Sequence, residues 1–329
     1  MGISINLTLS NVWRSWKFWQ HGKKSTKEIG IFKYNLEENL FRLWKDLNSD
    51  NYTHGDYRKY AVYENKRRDI AVAPIRDRIL HRLLYDYLVS IYDSSFIFDV
   101  WSCRRGKGLL AGIERSQKFL TSFPHGFVWK SDIKKFFDSV NQAVLLKILS
   151  GKIRDKNAIK ILGCVIHSFE LSNLETKKGY DLKKGIPIGN LTSQIFSNIY
   201  LNEFDCFVVQ TLKPNRYLRY GDDFILIDED KNRLKNMRHN ASKYLKEALK
   251  LEINKKNDIL CKTIAGINFL GCKIYPGGRK IKPMIVTKSF QNLKYANFSS
   301  YWGLFKHHGG RKPIERFQWQ MLDIVEDIF

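Results

Sequence analysis

Apolar and polar positions along this chain change period several times, and each change marks an element. Over residues 11–50 the spacing is helical. Trp13, Trp16 and Trp19 or Gln20 fall three or four apart, a basic break follows at His21-Gly22-Lys23-Lys24, and a second amphipathic stretch covers 35–47. Such a Trp stripe reads as a packing face. Residues 57–73 alternate instead: Tyr60-Ala61-Val62-Tyr63 and Asp69-Ile70-Ala71-Val72 predict two strands across the basic tip Glu64-Asn65-Lys66-Arg67-Arg68. Pro74 ends the second strand, and 75–92 returns to a strong helical period. Gly106, Gly108 and Gly112 then surround Lys107 in a Gly/Arg-rich segment.

Further on, 127–133 has the composition of a buried strand yet carries an acid, Asp132, at its end. Helical signals resume from Asp138 or Asn141 to Leu149 and again over 155–169, and 172–186 resembles a polar hairpin. Gly185-Ile186-Pro187-Ile188-Gly189 predicts a rigid turn, after which Asn190 or Thr192 caps a long helix ending near Val209. Tyr217-Leu218-Arg219-Tyr220 and Phe224-Ile225-Leu226-Ile227 are two more strands, turned by Gly221. A helix over 231–249 leads into Leu251-Glu252-Ile253. A hairpin at 267–274 turns at Pro276-Gly277-Gly278, and 288–329 reads as helical and basic. The pattern as a whole predicts α+β, an antiparallel sheet core with helices segregated around it.

Charge narrows the partners. Against 33 Asp+Glu the 329 residues carry 56 Lys+Arg, a formal charge of +23, and the excess runs along the whole sequence. A surplus this large favours polyanions, because each neutralised phosphate releases a counterion. Its spread favours a long basic channel over a single arm. The 21 Phe, 16 Tyr and 8 Trp suit stacked bases as well as an ordinary core. Five cysteines, none spaced as C-x-x-C, read as buried thiols in a reducing compartment. The N-terminus lacks a charged leader with a cleavage site, and no apolar run reaches bilayer length. The expectation is a soluble, cytoplasmic protein with no membrane partner.

Candidate chemistry centres on Tyr220-Gly221-Asp222-Asp223. Adjacent carboxylates at a hairpin tip repel each other and bury little apolar surface, so the arrangement gains from a cation. Mg²⁺ takes carboxylate oxygens and leaves positions open for phosphates. Asp and Gly are also common in polar turns, which is the ordinary reading of the same tetrapeptide. Two-metal phosphoryl transfer, with ions about 4 Å apart, calls for a further acid. Asp132 is the best candidate, because a charge at the end of an apolar strand otherwise serves only as a helix cap, a role that Asp138 and Asn141 fill more naturally.

Asp132, then Gly185-Ile186-Pro187-Ile188-Gly189-Asn190-Leu191-Thr192-Ser193-Gln194, then Tyr220-Gly221-Asp222-Asp223 resemble the successive palm motifs of reverse transcriptases, and Phe269-Leu270-Gly271 resembles their primer grip. Arg67-Arg68, Asp77-Arg78 and Cys103-Arg104-Arg105-Gly106-Lys107-Gly108 look like the fingers of bacterial retroelement enzymes, and 301–309 looks like their thumb. The resemblance covers nearly the full chain. Within the family, Ile188-Gly189 with Ser193-Gln194 resembles the enzymes of diversity-generating retroelements. Those make complementary DNA with errors at template adenines and work with a small basic helical-bundle accessory protein.

That resemblance implies a right-hand polymerase. Residues 1–56 would be an N-terminal helical extension, 57–125 fingers, 126–150 the first part of the palm, 151–184 a connection, 185–286 the second part of the palm and 287–329 the thumb. It implies two Mg²⁺, with Mn²⁺ as a substitute, held by Asp132, Asp222, Asp223 and the backbone carbonyl of Ile133. Arg68 and Lys66 would hold the triphosphate. Phe137, five residues after the first acid, would lie under the sugar and exclude a 2′-hydroxyl, while its neighbour Phe136 packs. Ile188, Gly189, Ser193 and Gln194 would border the nucleotide, and an apolar Ile188 cannot hydrogen-bond the base pair as a Gln does. Lys255 or Lys256 would protonate pyrophosphate, although the family's lysine falls nearer Asn257. Asn198 packs. Gly221 departs from the Met or Ala frequent in this hairpin. Partners would be template RNA, complementary DNA and deoxynucleoside triphosphates. A retron or phage-defence enzyme is the alternative within the family, and an RNA-binding scaffold is the alternative outside enzymes.

Overall fold

The computed structural model of the chain describes residues 3–63, 67–169, 184–294 and 297–326. Elements follow in the order α1 (Leu9–Gln20), α2 (Lys27–Tyr34), α3 (Leu36–Asn48), β1 (Arg58–Tyr63), β2 (Arg67–Val72), α4 (Ile75–Tyr92), α5 (Leu109–Ser122), β3 (Phe127–Asp132), α6 (Phe136–Ser139), α7 (Gln142–Lys152), α8 (Lys156–His167) and α9 (Leu191–Phe207). Then come β4 (Arg216–Tyr220), β5 (Asp223–Asp228), α10 (Lys231–Glu247), β6 (Ile259–Lys262), β7 (Ile267–Phe269), β8 (Cys272–Tyr275), β9 (Gly278–Ile281), α11 (Pro283–Gln291), α12 (Phe298–His308) and α13 (Arg311–Glu326). The chain divides into two compact units. One takes Met1–Ile97, Ile133–Phe207 and Ser242–Ile253; the other takes Phe98–Asp132, Val208–Ala241 and Asn254–Phe329.

The first unit is mainly helical. Thr8 caps α1 by accepting from the Asn11 amide, and the helix buries Val12, Trp16 and Trp19. Trp16 packs on Trp19 at 5.4 Å and stacks on Phe32 of α2 at 5.3 Å, so this part of the Trp stripe is a packing face. α4 starts straight after Pro74 and buries Ile79, Leu80, Leu83, Leu84 and Leu88. It packs on both α1 and α9. In this unit the hairpin β1–β2 is antiparallel from Arg58↔Val72 to Tyr63↔Arg67. The outer edge of β2 is held by the turn before α9. The Ala71 amide donates to the Ile188 carbonyl at 3.0 Å, and Asn190 Nδ2 donates to the Ala71 carbonyl at 2.8 Å.

The second unit carries two antiparallel sheets, ordered β4-β5-β3-β6 and β7-β8-β9. One core serves both. Val128, Leu218, Ile225 and Ile227 from the larger sheet join Phe269, Cys272 and Ile274 from the smaller, and Phe290, Phe305 and Phe317 from α11 to α13. Burial of this kind is worth about 1.5–3 kcal/mol per large apolar side chain, so the C-terminal helices are fastened to the sheet that bears the acids.

Several expectations change. The hairpin expected at 267–274 is a three-stranded meander with a tight turn at Leu270-Gly271. The edge strand β6 gives no strand signal in the sequence, because it is short and mostly solvated. Asp138 is not a cap: it lies inside the short α6, and Asn141 caps α7 by accepting from the Val144 amide at 3.0 Å. Of the five cysteines only Cys272 is buried, and Cys103 is exposed. Most of the hairpin expected over 172–186 falls outside the described residues. Among the described residues no helix is long and apolar enough to cross a membrane.

Candidate active site

The acids meet because of strand register. β3 and β5 pair antiparallel so that Asp132 stands opposite Asp223, and residues opposite in such a pair point to the same face. β4 reaches β5 through a turn at Gly221, whose φ of +63° favours glycine. Arg219 holds that turn from within. Its side chain is fully buried, and its Nη1 donates to the Gly221 carbonyl at 2.9 Å. Its backbone is clamped as well, with the Arg219 amide donating to Asp99 and the Trp101 amide donating to Arg219. Asp222 therefore sits on a stapled turn beside Asp223.

Burial and like charge mark the cluster. Burial, then the adjacent Asp223 carboxylate, pushes Asp222 up to about 6, with a further contribution from Asp132. Burial also raises Asp223, which Lys130 holds down in turn. Lys130 Nζ lies 3.1 Å from Asp223 Oδ1. On the other strand, Asn257 Nδ2 donates to Asp132 Oδ2 at 2.9 Å and Asn254 Nδ2 reaches the same oxygen at 3.3 Å. Asp132 Oδ1 is buried without any hydrogen-bond partner. Among the described residues no three His, Cys, Asp or Glu side chains form a ready-made cage for an ion. The carboxylates have other partners: an ammonium meets Asp223 Oδ1, and two amides meet one oxygen of Asp132. The donor set still fits a hard divalent cation, because it offers three carboxylates, a raised affinity for positive charge and an orphaned buried oxygen.

The sequence suggested no role at the site for Lys130, Arg219 or Asn254, and it pointed to Asn257 only as the neighbour of the family's lysine position. For Lys130 a signal existed: a lysine two positions before an acid in an otherwise apolar strand shares its face. Asn254 and Asn257 had none, since 122 and 125 positions separate them from Asp132.

The remaining candidates divide between the units. In the second, Phe269 is buried while Leu270 (φ +49°) and Gly271 (φ +83°) make the turn between β7 and β8. Leu270 and Tyr220 both pack where a Cβ on Gly112 would stand, at 3.5 and 3.6 Å, so the expected primer grip and the acid hairpin share a neighbour. Lys255 and Lys256 are exposed in the turn that carries the Asp132-binding amides. In the first unit, Ile133 is buried and bridges Ile253. Phe136 is buried and Phe137 half-buried.

A cleft of about 710 Å³ in the first unit is lined by Lys59, Arg67, Asp69, Lys135, Asp138 and Ile188, among others. Strand alternation puts Arg67 on the cleft face of β2, and Arg68, the sequence's choice, on the opposite face. Gly189 (φ +108°) borders the turn. Ser193 is shut inside α9 with its hydroxyl unpartnered, and Gln194 is the exposed member of that pair. Asn198 is buried in the same helix. Lys66 lies outside the described residues.

Comparison with known proteins agrees with this geometry. The family model described as reverse transcriptase (RNA-dependent DNA polymerase) matches residues 57–274. Protein YkfC of Escherichia coli is 23% identical over 270 residues, covering 71% of this chain and 70% of YkfC. The group II intron-encoded protein LtrA of Lactococcus lactis is 25% identical over 179 residues, 53% of this chain but only 29% of LtrA. Among solved structures, Candida albicans telomerase bound to a fragment of telomeric RNA superposes with a TM-score of 0.52 at 15% identity, over 91% of this chain and 60% of the telomerase chain. That last likeness concerns the fold, a right-hand polymerase of mixed helices and antiparallel sheet.

Proposed function

This chain belongs to the reverse transcriptase family, and from that premise we propose that it copies template RNA into complementary DNA, with Asp132, Asp222 and Asp223 as its reaction centre. The observation that carries the reading is Asp132 standing opposite Asp223 in register, with Asp222 raised beside them. These carboxylates would hold two Mg²⁺ ions, or Mn²⁺, which would lower the pKa of the primer 3′-hydroxyl and neutralise the leaving pyrophosphate. The chain's own residues do the rest. Arg219 keeps Asp222 at the turn, the two amides orient Asp132, and Leu270-Gly271 supports the primer end. In the first unit, the basic cleft with Arg67, Lys59 and Lys135 suits a triphosphate, and a half-buried Phe137 suits exclusion of a 2′-hydroxyl. An RNA-templated primer-extension assay tests the core. Asp222→Ala and Asp223→Ala should abolish synthesis and keep primer–template binding; synthesis equal to wild type would dismiss the site.

Within the family, the reading extends to a diversity-generating retroelement with an adenine-biased error rate and a small basic accessory protein. Its support is Ser193-Gln194 in the sequence and the apolar Ile188 bordering the cleft. Sequencing the DNA products tests it. Errors concentrated opposite template adenines support the assignment, and errors spread evenly over four bases point to a retron or phage-defence enzyme instead.

A further inference from the structure

We infer that Lys130 is a positioning residue that stands in for the cation at Asp223 and sets how much divalent metal the protein needs; this rests on the reading of the three carboxylates as the metal site. β3 alternates so that Val128, Lys130 and Asp132 share one face, opposite Ile227, Ile225 and Asp223 of β5. Val128, Ile225 and Ile227 on that face belong to the apolar core. Lys130 is thus a charge set among buried aliphatic side chains, itself 8% exposed. A lysine is placed there at a cost unless its ammonium is paired, and the pairing is diagonal across the strands, Nζ to Asp223 Oδ1 at 3.1 Å.

The two other holds on the cluster differ in kind. Asn254 and Asn257 are neutral, and they bind Asp132 by one oxygen while leaving Oδ1 orphaned. Neutral amides orient a ligand without opposing a cation. An ammonium opposes it twice, by occupying a carboxylate oxygen and by adding like charge. Lys282 adds positive potential at Asp223 as well, more weakly than Lys130. With its ammonium on Asp223 Oδ1, Lys130 competes with any cation that would use that oxygen on entering the cluster. Lys130 therefore stabilises the ion-free cluster and raises the metal concentration at which it loads.

The test is binding of Mn²⁺ alone, with neither nucleotide nor nucleic acid, followed by loss of the free-ion electron paramagnetic resonance signal. Mg²⁺-dependent thermal unfolding is the second readout. A neighbouring unit charge changes proton affinity by about ten- to a thousandfold, and a divalent ion senses at least as much. Lys130→Met should lower the Mn²⁺ midpoint by about tenfold or more, lower the melting temperature in chelator, and enlarge the rise in melting temperature with Mg²⁺. Lys130→Arg should restore a midpoint near that of wild type. A Lys130→Met midpoint unchanged or raised would overturn the inference, whatever happens to stability, since a merely structural ion pair moves the melting temperature alone. Lys130→Gln serves the same comparison if the Met variant does not fold. Asp222→Asn separates the two claims. If it binds Mn²⁺ as wild type does, the carboxylates are not the metal site and the reading of the site itself fails; if it loses binding while Lys130→Met leaves the midpoint in place, only the role of Lys130 fails.

Discussion

Asp222 carries a pH signature whose sign can be worked out. Its ordinary value is 3.8 and burial beside Asp223 pushes it to about 6. Between those values the native state binds more protons than the unfolded chain, so stability falls as pH rises from about 4 to about 6. His81 acts in the opposite sense. It is fully buried, stacked on His54, and driven from 6.5 down to about 3 by burial. Its neutral form stabilises the fold above pH 6.5, and that contribution is lost as pH falls toward 3. The two overlap, so the wild-type curve alone hides both. The difference between wild type and Asp222→Asn, measured by thermal unfolding in chelator, should widen in favour of the variant as pH rises from 4 to 6; a flat difference would show that Asp222 is not raised. At the same scale Phe137→Ala should increase ribonucleotide incorporation, read as the ratio of kcat/KM for ribo- and deoxynucleotides. Phe136→Ala, by contrast, empties a core position and should cost about 3–5 kcal/mol of stability.

Elements differ in how plainly they were written. The helix at Ile75–Tyr92 and the strand at Phe127–Asp132 follow their expected bounds within a residue, because each buries enough of its own apolar face to declare a period. α2 and β6 declare none. The first is short, and the second gains its bonds from β3, a partner more than 120 positions away. The turn before α9 was legible as rigid, but not for its reason. Gly189 stands at φ +108°, and a Cβ there would meet Ile70 Cγ2 at 2.9 Å. Gly189→Ala should therefore cost about 1–3 kcal/mol and loosen β2, measured as lower chemical-denaturation stability. Gly221→Ala, whose Cβ would meet only Ser102 Oγ at 3.8 Å, should show the backbone cost without the clash.

At the level of the whole molecule, a formal charge of +23 spread along the chain predicts binding governed by counterion release. With six to ten phosphates contacted, affinity for an RNA–DNA primer–template should fall by roughly 10³–10⁵ between 50 and 200 mM salt. Fluorescence anisotropy checks this, and the salt slope should be the same for Asp222→Ala as for wild type. A scaffold protein would show the same slope with no synthesis, which is why the slope has to be read beside primer extension.

Composition and period alone determined a basic α+β chain, most of its helices, the two acid-bearing strands and the three aspartates, since each of these is a local property or a pattern of side-chain types. Only the tertiary structure decided that Asp132 faces Asp223, that Lys130 pairs with one and two amides hold the other, and that Arg67 rather than Arg68 lines the cleft. Those facts depend on which residues of separate strands and turns stand opposite one another. Pairing between positions so far apart in the chain follows from register and burial of the whole chain, and no short stretch of sequence carries it.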